Sequence, residues 1–193
     1  MGLGACAGGE ACVGRSVAAA PIVSGVAARD EVKAFLRIDG AAEDAELDRL
    51  IAAAIGHGED FTGRTFLIRE MVEVVPASVR WHRLGAAPVR AIGGVAMLAA
   101  DGTASTLSAG AYAVDIDASG DGWVRLTGAG GGRVQVTYQA GVAAAWEGLP
   151  EPLRQGAVRL AAHLFTHRDE ADGGAPPAAV AALWRPWRRM RLL

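Results

Sequence analysis

Cysteine is almost missing from the chain. Cys6 and Cys12 are the only two among 193 residues, too few for a disulfide framework and without His or Cys partners at metal-ligand spacing. Lysine is rarer still: Lys33 stands alone, and the other eighteen of the 19 basic residues are arginine. Aromatic residues make up 6%. No apolar run reaches the ~18 residues needed to cross a bilayer, which argues against a transmembrane protein. Neither sign of charge dominates, since 19 basic residues face 21 acidic ones for a net charge of −2, and this excludes a strongly basic, non-specific nucleic-acid binder. What is abundant is small and apolar: 51% of the residues are hydrophobic and 26 are Gly. That composition argues for a folded chain. With a single lysine beside so much Ala and Gly, the bias resembles GC-rich coding, so single Ala or Gly positions carry little weight. The length suits one domain, or a small core carrying an insertion.

Residues 1–25 are rich in small residues and weakly patterned. With one positive charge, Arg15, and no continuous apolar stretch, they read as an extended arm and not as a signal peptide. Residues 26–193 read as a single domain. Val32, Phe35 and Leu36 lie at i, i+3 and i+4, which predicts a short amphipathic helix stopped at Asp39 and Gly40. A stronger helix is predicted over 42–62, where Leu47, Leu50, Ile51, Ala54, Ile55 and Phe61 share a face. Acidic Glu43, Asp44, Glu46 and Asp48 sit in its opening turns, and Gly63 follows as the stop. These two segments form a helical hairpin over 26–63. Over 64–140 the period changes to short β-type stretches near 66–75, 79–84, 92–99, 111–117, 123–126 and 134–138, punctuated by Gly, Pro, Ser and Asp clusters. Five or six such strands make an antiparallel unit, and the 133–138 stretch alternates most cleanly. Pro150 and Pro152 open a third helix running to about 168, with Leu153, Ala157, Leu160, Ala161 and Leu164 as its stripe. A last short helix carries Val180, Leu183 and Trp184, and Pro186 ends it. The fold class is therefore α+β: a small helical core of two N-terminal and two C-terminal helices, with the C-terminal part spanning 150–188 and an antiparallel β unit inserted between the halves.

No constellation for catalysis stands out. The serine context Leu107-Ser108-Ala109-Gly110 lacks the leading Gly of a nucleophile elbow. Residues 128–132 are glycine-rich but lead into a strand without a Lys-Ser/Thr ending, so they read as a hairpin loop and not as a phosphate loop. His163 and His167 lie four apart on the third helix, yet no third ligand or general base accompanies them. Asp115, Asp117, Ser119 and Asp121 with Gly120 imitate a calcium loop, but Leu126 stands where its bidentate Glu belongs, and hairpin-turn chemistry accounts for the same residues. No cofactor and no metal is expected. The C-terminus is the most unusual stretch: Trp184, Arg185, Trp187, Arg188, Arg189 and Arg191 place two of the five tryptophans beside four arginines without an acid. Trp and Arg are the residue types enriched at binding hot spots, so the stretch reads as a protein-docking tail. Two alternatives remain open on the residues alone, a metal-binding protein built on His163 and His167 or on the 115–121 loop, and a nucleic-acid-binding protein using the C-terminal arginines.

The order of these segments resembles the head–tail connector (adaptor) proteins of tailed phages and of phage-derived gene transfer agents. The opening hairpin, Asp-Glu-Val-Lys-Ala-Phe-Leu-Arg-Ile-Asp over 30–39 and then Phe61-Thr62-Gly63-Arg64, is similar to the family's Lys-x-x-Leu-Arg helix followed by a helix ending in Tyr/Phe-Thr-Gly-Arg. In this chain Phe35 stands between Lys33 and Leu36-Arg37 in that motif. The later match runs through Val136-Thr137-Tyr138-Gln139-Ala140-Gly141, Leu149-Pro150 and His167-Arg168-Asp169-Glu170. Residues 183–188 resemble the family's Leu-x-x-Pro-Tyr-Arg ending, with Trp187 in the place of Tyr. The resemblance spans about 28–193. It implies a structural protein without a catalytic centre, found at the head–tail interface of a phage or gene-transfer-agent particle and in the host cytoplasm during assembly. It further implies a homo-oligomeric ring, commonly a dodecamer, under the portal protein. Such a ring extends the channel for DNA, which passes without sequence-specific binding, and it supports a tail or stopper protein, with no membrane involved. On this resemblance the docking tail, Trp184, Arg185, Trp187, Arg188, Arg189 and Arg191, becomes the portal-binding segment.

Overall fold

The computed structural model describes residues 16–128, 130–167 and 176–189. Two N-terminal helices, α1 (Gly25–Leu36) and α2 (Asp44–Thr62), and two later ones, α3 (Glu151–Thr166) and α4 (Ala178–Trp184), bury their apolar stripes against one another. Leu47, Ile51, Ala54 and Ile55 of α2 meet Leu153, Ala157, Leu160 and Ala161 of α3 in one core. Gly63, with φ +68, ends α2 where the left-handed conformation requires glycine, and its N–H donates to the Glu59 carbonyl at 2.8 Å. The end of α1 departs from the sequence reading. Arg37, not Gly40, takes the left-handed cap with φ 57, and the Ile38 N–H then donates to the Lys33 carbonyl at 3.0 Å. Phe35 departs as well: it is 51% exposed, with the Arg159 guanidinium 6.0 Å from its ring centre, while Ala28 and Val32 take the buried face.

Between the helix pairs the chain forms two antiparallel sheets. The strands are β1 (Ser16–Ala19), β2 (Arg69–Pro76), β3 (His82–Arg83), β4 (Val89–Leu98), β5 (Ala104–Thr106), β6 (Tyr112–Ile116), β7 (Gly122–Leu126) and β8 (Arg133–Ala140). The larger sheet has the order β1-β2-β8-β4-β5 and the smaller β3-β7-β6. Central β8 alternates exposed and buried residues, as its sequence predicts, and sends Val134, Val136 and Tyr138 into a second core with Met71 and Val75 of β2 and Val124 and Leu126 of β7. Two features escaped the sequence reading. The end of the arm is a strand, β1, paired with β2 from Ser16↔Val74 to Ala19↔Met71. And the 128–132 segment is no hairpin loop: it connects β7 of the small sheet to β8 of the large one.

The two cores are bolted together where α2 gives way to β2. Glu59 receives both terminal nitrogens of Arg69, at 2.7 and 2.5 Å, and also accepts the Phe66 N–H at 2.7 Å. The chain returning from β8 passes the same point, with the Val142 and Ala143 N–H groups each donating to the Phe66 carbonyl at 3.0 Å. Gly141 sits so close that a Cβ there would lie 2.4 Å from the Ile68 backbone, so only glycine fits the crossing.

Candidate functional site at the C-terminal segment

The C-terminal segment begins inside the helical core and ends on the β unit. Helix α4 runs directly into a 3₁₀ turn, Arg185–Trp187, which absorbs Pro186 in its first positions, where the missing N–H has no helical partner to lose. This geometry divides the six tail residues. Trp184 is 0% exposed. Its ring contacts Phe61 and Phe66, with centres 6.0 and 6.2 Å away, and its Nε1 donates to the Leu153 carbonyl at 3.3 Å. Trp184 is therefore an anchor of the chain's own core and not an outward one, because α4 must bury its single apolar face against α2 and α3. Arg185 and Arg188 are exposed, Trp187 is half-buried, and Arg191 lies outside the described residues.

Arg189 turns inward. Its N–H donates to the Thr62 carbonyl at 2.8 Å, and its guanidinium meets Asp121 Oδ1 at 2.5 Å with both side chains about one-tenth exposed. Arg83, from β3, approaches the other Asp121 oxygen at 3.7 Å. Arg64, just after the α2 stop, donates Nε to the Trp187 carbonyl at 3.0 Å. Arg188 lies 5.2 Å from the centre of the Phe61 ring, a cation–π distance. The result is a polar cleft of about 530 Å³ lined by Arg64, Arg83, Arg188, Arg189, Ser119 and Asp121. Four guanidiniums thus line the cleft, two of them, Arg83 and Arg189, paired with Asp121. Sequence reading singled out Arg188 and Arg189 but missed the roles of Arg64 and Arg83, which reach the same place from 124 and 106 positions upstream of Arg188 and Arg189 respectively. The one local signal was the Thr-Gly-Arg ending of α2.

The alternative constellations resolve into structure. Asp117 builds the β6–β7 hairpin: Oδ1 accepts the Ser119 and Asp121 N–H groups at 2.8 and 3.0 Å, and Oδ2 accepts the Trp123 indole N–H at 2.9 Å. The indole bond first, then the backbone N–H bonds, hold its carboxyl below the ordinary carboxylate value. His163 and His167 stack with ring centres 4.3 Å apart, and the His167 Nδ1 stands 2.8 Å from the Thr166 hydroxyl. Among the described residues no group of three or more His, Cys, Asp or Glu side chains converges on a common point. Nor is any described helix long and apolar enough to cross a membrane.

No protein-family model and no curated protein matches the chain. Solved structures do. A chain of the neck of an empty GTA particle, computed with C6 symmetry, is 27% identical with a TM-score of 0.72, and the alignment covers 92% of this chain and 97% of that one. A chain of the virion of a native gene transfer agent (GTA) particle is 29% identical with a TM-score of 0.70 and the same coverage. A third, from the neck of a native GTA particle computed with C12 symmetry, is 26% identical with a TM-score of 0.64, covering 91% of this chain and 97% of its own. The match takes in the helical core and the β unit together, across nearly the whole of both chains, so the resemblance read from the sequence holds at the level of the fold and the chain is a structural protein of the neck type seen in gene transfer agent particles.

Proposed function

We propose that the chain is the adaptor subunit of that neck: copies form a ring under the portal, continue the DNA channel, and present a platform to a tail or stopper protein. The observation that carries this reading is the extent of the match to neck chains, 97% of their length, in neck structures computed with C6 and with C12 symmetry. A net charge of −2 suits a channel wall, because a dense cationic lining would hold the DNA phosphates in place. The role needs no reaction, cofactor or metal.

The portal contact falls to the outward side of the C-terminal segment: Arg185, Trp187 and Arg188, with Arg191 beyond the described residues. A half-buried indole flanked by exposed guanidiniums combines a rigid apolar surface with forks that pair carboxylates. Repeating one modest contact around a ring produces avidity without strong individual affinity. A head-to-tail ring closes only when the subunits hold the right angle, so the portal serves as template for it.

The test is complementation of particles made without this protein. DNA-filled heads without tails, which gain tails when the purified protein is added, are the expected result. Tailed, infectious or transducing particles formed in its absence overturn the reading.

A further inference from the structure

We propose that the cleft between the C-terminal segment and the β unit is an anion-binding site that takes a carboxylate side chain from the protein seated on that segment. This deepens the docking reading above and rests on it. The warrant is two guanidiniums, Arg64 and Arg188, that line a cleft of about 530 Å³ beside the Asp121 bridge without a carboxylate of their own among the described residues. Asp121 engages Arg83 and Arg189, and this bridge fixes the floor by tying the last described residue of the segment to the β6–β7 hairpin. Arg64 and Arg188 have no carboxylate partner among the described residues. Arg64 is held in place through Nε alone, by the Trp187 carbonyl, so its terminal nitrogens are positioned before any ligand arrives.

Geometry selects the class of anion. A nucleic-acid strand carries a charge about every 3.4 Å and asks for a track of cations along a groove. Here the cations gather around one concavity beside Asp121 and form no track along a groove. A planar guanidinium pairs a planar carboxylate through two parallel N–H···O bonds, and Arg64 and Arg188 are the forks left for that pairing once Arg83 and Arg189 engage Asp121.

The experiment uses the full-length protein and a fluorescent oligoglutamate peptide, read by anisotropy at low salt. Saturable binding is expected, weakened by about tenfold or more in Arg64→Glu and in Arg188→Glu, and unchanged in Arg133→Glu, an exposed arginine on β8. Thermal melting checks each variant. If Arg64→Glu fails to fold, the exposed Arg188→Glu carries the test. Equal weakening by Arg133→Glu overturns the site, because it leaves only general charge attraction. Duplex DNA or inorganic phosphate displacing the peptide at equal concentration overturns the choice of carboxylate. The same variants added to portal-containing heads separate the two readings. Particles that accept Arg64→Glu normally but reject Trp187→Ala refute the cleft and leave the docking segment standing. Peptide binding with normal docking of an Arg185→Glu/Trp187→Ala variant does the reverse.

Discussion

A Cβ on Gly156 would stand 2.1 Å from Trp184 Nε1, so α3 carries glycine where the indole of α4 crosses it. In an exposed helix, Gly→Ala gains about 1 kcal/mol. Here the sign reverses, because the methyl and the buried ring would claim one space. Gly156→Ala is expected to destabilise the protein, and Trp184→Ala to cost about 3–5 kcal/mol through the cavity it leaves. Urea unfolding of both variants checks this. A Trp184→Ala protein of unchanged stability would return the indole to the role of outward anchor.

The Glu59–Arg69 pair is expected to be strongly sensitive to removal of one partner. Its side chains are 13% and 12% exposed, and Glu59 also caps the Phe66 N–H. Glu59→Gln leaves a guanidinium largely out of water without its counter-charge, at a cost of about 3 kcal/mol. The exposed Glu151–Arg154 pair, broken the same way, should change stability by less than about 1 kcal/mol. Chemical denaturation of the two variants side by side makes the comparison.

Asp44 sets an acid limit on the helical hairpin. It accepts Lys33 Nζ at 2.7 Å and Arg29 at 2.8 Å, and the Lys33 bond foremost holds its carboxyl below the ordinary value of 3.8. In the folded state it stays ionised to lower pH than in the unfolded chain. Its contribution is therefore fully present above 3.8 and is lost as pH falls through the depressed folded value. Asp44→Asn should flatten the loss of stability in that window and leave the rest of the pH profile unchanged, as followed by denaturation midpoints.

The hairpin around Asp117 should not depend on calcium. Both of its oxygens are taken by the turn and by Trp123, so chelator or added calcium is expected to leave the melting temperature unchanged, whereas Asp117→Ala lowers it by unpairing three N–H groups. Metal analysis finding one ion per chain, lost in Asp117→Ala or in the joint His163→Ala/His167→Ala variant, would revive the metal-binding reading.

The docking segment makes the functional prediction. Arg185→Glu with Trp187→Ala should fold, since Arg185 is exposed and Trp187 is only half-buried, and should fail to join portal-containing heads. Sedimentation with such heads measures it, and normal joining would refute the portal role.

Local physics decided much of this protein before any tertiary contact was known. The 3.6-residue stripe of Leu47, Ile51, Ala54 and Ile55, the glycine stop at 63 and the alternation of Val134, Val136 and Tyr138 each act within one element, so the order of helices and strands, the α+β class and the family resemblance were legible in the sequence. The Asp117–Gly122 turn was legible for the same reason, as an aspartate bonding its own neighbours. The arrangement of the site was not. Strand β1 exists only because β2 offers it an edge, and nothing within 16–19 announces that pairing. Trp184 and Trp187 are equivalent by residue type, and the crossing of α4 over Gly156 decides that the first is fully buried while the second packs against the core only in part. The cleft gathers Arg64 and Arg83 with Arg188 and Arg189 across more than a hundred residues, because the chain leaves the helical core, builds two sheets and returns to the same point at Phe66. Periodicity reports which face of an element is apolar; which partner covers that face, and which charges the packing brings together, is settled by three-dimensional closure alone.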